Sequence, residues 1–149
     1  MSRHAALTET FLSACRRLGR VRVVHRNGVG LSEIFTDLDK LEVGSDGANL
    51  VLPHAHLHLT PKSFGAAAFR SVESEHGASA PAVWLYGAEG CPLLLFVLDQ
   101  TKGDSAREQW AAYRQLRCEY GPFVHLMSRR GAPAVTPRAP DERACPTLH

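Results

Sequence analysis

Several things are scarce in this 149-residue chain, and each scarcity removes a class of protein. Cys15, Cys91, Cys118 and Cys145 are scattered, with no Cys-x-x-Cys pair, so neither a zinc ribbon nor a dithiol redox motif is present. The longest apolar run, Leu93 to Leu98, is far too short to span a bilayer. The opening residues Met1 to Glu9 carry a carboxylate and no small-residue cleavage site, a poor signal peptide. Four cysteines without a secretory signal imply reduced thiols and a cytoplasmic location. Net charge is only +2, with no basic stripe interleaved with aromatics, which argues against a nucleic-acid binder. No serine sits in a Gly-x-Ser-x-Gly elbow and no cysteine adjoins a histidine, so a nucleophilic triad has little support.

What remains is an ordinary globular balance, 44% hydrophobic and 21% charged, at a length that suits one domain with a real core. Residues 1–127 read as that domain. Residues 128–149 read as an irregular tail, because four of the nine prolines (Pro133, Pro137, Pro140, Pro146) fall there among Arg and Ala.

Leu7, Phe11, Ala14, Cys15 and Leu18 recur at helical spacing before Gly19, which suits a left-handed cap. Arg20 to Asn27 alternates and is β-branched, so it reads as a strand in which His25 shares a face with Val21 and Val23. Arg22 and Arg26 point to the other face. Asn27-Gly28 marks a turn, and Gly30 to Thr36 continues as a partner strand. Asp37 to Gly47 reads as a loop. Ala48 to Leu52, His54 to Thr60 and Gly65 to Glu73 read as strands. Pro81 to Tyr86 and Pro92 to Asp99 form a hairpin about Gly87 to Gly90. Ser105 to Glu108 matches a capping box that opens a helix with the apolar stripe Trp110, Tyr113, Leu116 and Tyr120. The order of helix, antiparallel strands and long helix gives an α+β fold class, one sheet with the helices segregated to one side.

The most informative stretch is Pro53 to Pro61, where His54, His56 and His58 alternate with Ala55, Leu57 and Leu59. An extended strand puts the three imidazoles on one face, their Cα atoms about 6.6 Å apart from one to the next. That face is either a site for an iron or zinc centre or a solvated polar surface. Two of the three could share zinc, with a further ligand from His25, His76, Glu73 or another subunit.

With these residues placed, the chain resembles the bacterial haem-utilisation family of HemS/HmuS and ChuX/HutX type, from Val21 to Leu116. The resemblance rests on the strand Val21 to Arg26, the block Asn49 to Phe69, the hairpin Val83 to Gly90 with its Ala88-Glu89-Gly90, the apolar strand after it and the closing helix. It implies a curved antiparallel sheet flanked by N-terminal and C-terminal helices, and a haem-binding homodimer serving as intracellular carrier or buffer in haem-iron use, with histidines as axial ligands. His25 and His56 fall near the family's histidines. Only one unit is present, so haem degradation by tandem members is not carried over and the chain leans away from being an enzyme.

Haem needs an imidazole, an apolar surface and cations for its propionates. Arg22, Arg26 and Arg70 are the cations expected to serve, with Lys62 a further candidate, and zinc on His54, His56 and His58 is the alternative cofactor. Cys91-Pro92 and Cys145-Pro146 each resemble thiolate haem-binding pairs, and Trp84, Tyr86, Trp110 and Tyr113 could stack on a porphyrin or simply fill the core.

Overall fold

The computed structural model describes residues 3–26, 29–44, 47–73, 77, 79–99 and 103–126. Asn27-Gly28, His76 and the whole expected tail, residues 128–149, lie outside the described residues.

Helix α1 (Arg3–Cys15) tightens into a 3-10 turn (Arg16–Leu18) and stops at Gly19, whose φ of 66° suits a residue without a Cβ. Strands β1 (Arg20–Arg26) and β2 (Leu31–Asp37) form the expected hairpin. The stretch Asp37 to Gly47 is more ordered than a loop: it holds a 3-10 turn (Leu38–Lys40) and a short strand β3 (Glu42–Gly44). Then follow β4 (Gly47–Val51), β5 (His56–Leu59), β6 (Phe64–Glu73), β7 (Ser79–Gly87) and β8 (Pro92–Leu98). Helix α2 (Gly103–Tyr120) begins two residues before the expected capping Ser105, and a strand absent from the sequence reading, β9 (Phe123–His125), closes the described chain.

The strands make two antiparallel sheets where one was expected: a six-stranded sheet in the order β2-β1-β8-β7-β6-β9, and a three-stranded sheet β3-β4-β5. The separation is local in origin. Leu52 N–H donates to Ala55 C=O, so β4 and β5 turn directly back on each other instead of joining the large sheet.

Register assigns each residue of the large sheet to a face. Val23, Phe96, Val83 and Phe69 are partners in one row, and His25, Leu94, Leu85, Ala67 and Val124 in the next. These rows carry most of the large-sheet residues of the main core, which also takes in Phe11, Leu12 and Cys15 of α1, Tyr113 and Leu116 of α2, and Ala48, Leu50 and Leu59 of the small sheet. Phe11 meets Phe69 and Tyr120 edge-on, at 6.1 and 5.1 Å between ring centroids. Gln109 is buried and donates from Nε2 to the carbonyl of Leu18 at 2.7 Å and to that of Arg20. Tyr113 Oη donates to Ala82 O. Trp110 does not join the buried stripe: it is 41% exposed, stacked on Tyr113, while Gln109 takes the buried position. The helix starts earlier and its buried arc is set by those two polar anchors, which periodicity alone does not report.

The opposite face of the large sheet carries a second cluster: Val24, Ala66, Ala68, Ala82, Trp84, Tyr86, Leu95 and Val97. All eight are strand residues, and no residue of a described helix belongs to it.

Candidate functional site

The histidine stretch folds in two parts. His56 and His58 lie on β5, side by side with ring centroids 6.4 Å apart. His54 falls outside the strand, exposed in the turn from β4. Pro53 breaks the extended run, so three imidazoles do not line up. Asn49, opposite His58 on β4, accepts through Oδ1 from His58 Nδ1 at 2.6 Å and from His56 Nε2 at 3.3 Å. The nitrogens that face each other are therefore donors to an amide oxygen, not lone pairs converging on an ion. Among the described residues no group of three His, Cys, Asp or Glu could hold a metal, so zinc on His54, His56 and His58 finds no support. Lys62 stands exposed in the 3-10 turn Pro61–Ser63, and Glu73 is exposed at the end of β6.

Gly47 fixes the geometry beneath this pair. At its φ of 153°, a Cβ would lie 2.6 Å from His58 Cε1 and 3.0 Å from Leu59 O. The close packing of β4 on β5 at this point therefore needs a residue without a side chain.

His25 lies at the end of β1, half-buried, paired with Ser32 on β2 and Leu94 on β8. By parity it extends the row of Val21 and Val23, both buried in the main core. His25 and His56 thus occupy different sheets.

The arginines occupy the other face, as alternation requires. Arg22, Val97, Ala82 and Arg70 are register partners across four strands. Arg22 is committed to Glu33 at 3.2 Å. Arg26 completes β1, with its side chain outside the described set. Arg70 is exposed and leans over the indole of Trp84, its guanidinium carbon 5.2 Å from the ring centroid, to donate to Tyr86 Oη at 3.2 Å. Trp84 Nε1 donates back to Arg70 O at 3.1 Å, and the rings of Trp84 and Tyr86 stack at 6.2 Å. Burial pushes the Tyr86 phenol above its ordinary range, partly offset by the Arg70 hydrogen bond. This group offers a cation, an indole and a phenol side by side.

The sequence reading missed His125. It lies on β9, exposed, in register with Ala66 and next to Phe123, whose ring it meets edge-on at 4.7 Å. Ala66 in turn pairs with Tyr86, so His125 shares the face of Arg70. The signal was slight: a Phe-x-His alternation just past Gly121-Pro122.

Two cysteine readings also change. Cys91 is disulfide-bonded, which corrects the expectation of four reduced thiols and removes the thiolate that a Cys91-Pro92 haem contact would need. Cys15 and Cys118 are free, and Cys145 lies outside the described residues.

No family model and no curated protein matches the chain. Solved structures do. ChuX is similar at 16% identity and a TM-score of 0.60, over 77% of this chain and 72% of its own. PhuS, a heme-binding protein from Pseudomonas aeruginosa, is 16% identical with a TM-score of 0.60, over 93% of this chain and 36% of its own. ChuS, an E. coli heme oxygenase, is 18% identical with a TM-score of 0.52, over 79% of this chain and 35% of its own. The chain thus spans about a third of the latter two. It has the fold that the sequence resemblance implied, with the α+β class as expected. The leaning away from an enzyme is corrected: ChuS, also described as a heme degrading enzyme, shares this fold, so the fold does not speak against catalysis.

Proposed function

We propose that this chain binds haem and serves as a haem carrier or buffer in haem-iron utilisation, working as a homodimer. The observation that carries this reading is the Arg70–Trp84–Tyr86 group, in a fold shared with the heme-binding proteins ChuX and PhuS. The residues present suit the group chemically. Arg70 is an exposed cation for a propionate, the strand face around Trp84 is apolar, and His25 and His56 are half-buried and exposed imidazoles on strands. One of the strand histidines would ligate the iron, His25 and His56 being the two that the resemblance selects, and Arg70 would serve a propionate, while Arg22 is engaged by Glu33. When bound, the iron would supply the reactivity, and the chain's own part is to hold the macrocycle and exclude water from it.

Hemin titration of the purified protein tests this directly. A shifted Soret band that saturates at one haem per chain or per dimer is expected. A spectrum that stays that of free hemin defeats the proposal. Light scattering checks the second part, with twice the 16.3 kDa chain mass expected.

A further inference from the structure

One edge of the sheets is unlike the others. Among the described residues the edge strands are β2 and β9 of the large sheet and β3 and β5 of the small one. Strands β9 and β3 have three residues and β5 has four, too short to offer another chain much of a template. Strand β2 has seven, about 23 Å at strand rise. Alternate residues along it turn their N–H and C=O away from β1.

A long edge is ordinarily blunted by lysine, proline, a bulge or a charge left free. The run Leu31-Ser32-Glu33-Ile34-Phe35-Thr36-Asp37 holds neither lysine nor proline. Its register with β1 runs without a shift, whereas β6–β7 and β7–β8 each contain one. Both carboxylates are engaged within the chain: Glu33 meets Arg22 at 3.2 Å, and Asp37 accepts from Asp39 N–H at 3.0 Å. Leu31 and Phe35 lie on the same face as Glu33 and are 50% and 56% exposed. This edge is long, apolar and without those safeguards.

Its pattern also selects the occupant. A twofold contact has to be self-complementary. With the axis at Glu33, Leu31 stands opposite the partner's Phe35, and Phe35 opposite the partner's Leu31. The two Glu33 carboxylates meet at the centre, each beside its own Arg22 guanidinium. An axis at Ile34 would set both apolar residues against carboxylates, Phe35 on Glu33 and Leu31 on Asp37. An axis at Phe35 would stack the two rings, set Glu33 against Asp37 twice and leave Leu31 beyond the paired strands. The register centred on Glu33 gives both apolar side chains of each copy an apolar partner.

We propose that β2 is the surface through which two copies of this chain associate, antiparallel and edge to edge about Glu33, so that their six-stranded sheets become one. This rests on the homodimer reading above and goes beyond it by naming the strand and its register.

Sedimentation of the full chain over a concentration series tests it. The parent is expected as a dimer that dissociates on dilution. Leu31→Lys and Phe35→Lys each place a charge on this exposed edge and should weaken association at least about tenfold, with the parent's circular dichroism retained. Register is read by oxidising Glu33→Cys and Leu31→Cys, each in a Cys118→Ser background and compared with that background alone. Two copies of residue 33 would face each other at about 4.5–5.5 Å between Cβ atoms, so Glu33→Cys should give a covalent dimer. Two copies of residue 31 would lie about 13 Å apart along the strands, so Leu31→Cys should stay a single chain on non-reducing gels. A parent dimer that both lysine variants leave unchanged overturns this inference and keeps the homodimer reading. Covalent dimers from Leu31→Cys and none from Glu33→Cys overturn it as well. A parent that stays a monomer at every concentration removes the homodimer reading, and this inference with it.

Discussion

The two faces of the large sheet are built from the same strands and treated very differently. Neighbouring residues of β8 make the point: Phe96 enters the core shared with both helices and the small sheet, while Val97 enters the cluster made of strand residues. Strand β1 reads the same way, with Val21 and Val23 inward and Arg20 and Arg22 outward. The first face is closed by Phe11, Leu12, Tyr113 and Leu116. The second is bordered by exposed polar groups, Arg70 and His125. One face packs against both helices and the small sheet, and the other forms a cluster made of strand residues alone among the described residues.

The largest effect should come from the closed face. Phe96→Ala removes a fully buried ring and is expected to cost about 3–5 kcal/mol in denaturant melts. A loss no greater than that of Val97→Ala would erase the distinction between faces.

Alkaline pH sharpens it further. Burial pushes the Cys15 thiol up from 9.0 to about 12. The native state keeps a proton there that the unfolded chain releases above 9.0, so this stability is present at lower pH and lost as pH rises toward about 12. The slope is about 1.4 kcal/mol per pH unit within that window. Melts of Cys15→Ala should show a shallower decline than the parent, and parallel curves would mean that the thiol is not sealed in the core.

Gln109→Ala takes the bridge from α2 to Leu18 and Arg20 away and leaves two carbonyls without that donor. About 1–3 kcal/mol is expected. Arg70→Ala, on the second face, should cost about 1 kcal/mol or less, because its contacts lie at an exposed edge. A larger cost there would make Arg70 part of the scaffold instead of the site. The smallest effect belongs to the exposed Arg17–Glu119 pair. The Arg17 hydrogen bond holds Glu119 below the usual carboxylate range, so its contribution exists at neutral pH and fades as acid protonates the carboxylate.

Legibility followed the range of the interactions. The β7–β8 hairpin was readable because alternation and a Gly-rich turn are local, and Gly19 was readable because its backbone is. His25 was correctly placed opposite Arg22 for the same reason. The row of three histidines was not borne out, because Pro53 ends one strand and the next begins only at His56. Trp110 was misassigned since its exposure depends on how α2 is anchored by Gln109 and Tyr113. His125 escaped notice because a three-residue strand has almost no periodicity of its own.

By itself the sequence determined the β1–β2 and β7–β8 hairpins and the alternation of Val21, Val23 and His25 with Arg20 and Arg22 along β1, since these follow from backbone geometry and residue spacing. Tertiary structure alone decided that there are two sheets, that the Val21 side of β1 meets the helices, and that Arg70, Trp84, Tyr86 and His125 come to lie on one surface. The physical reason is that β9 returns across a whole helix to pair with β6, and a contact at that separation leaves no mark in local spacing.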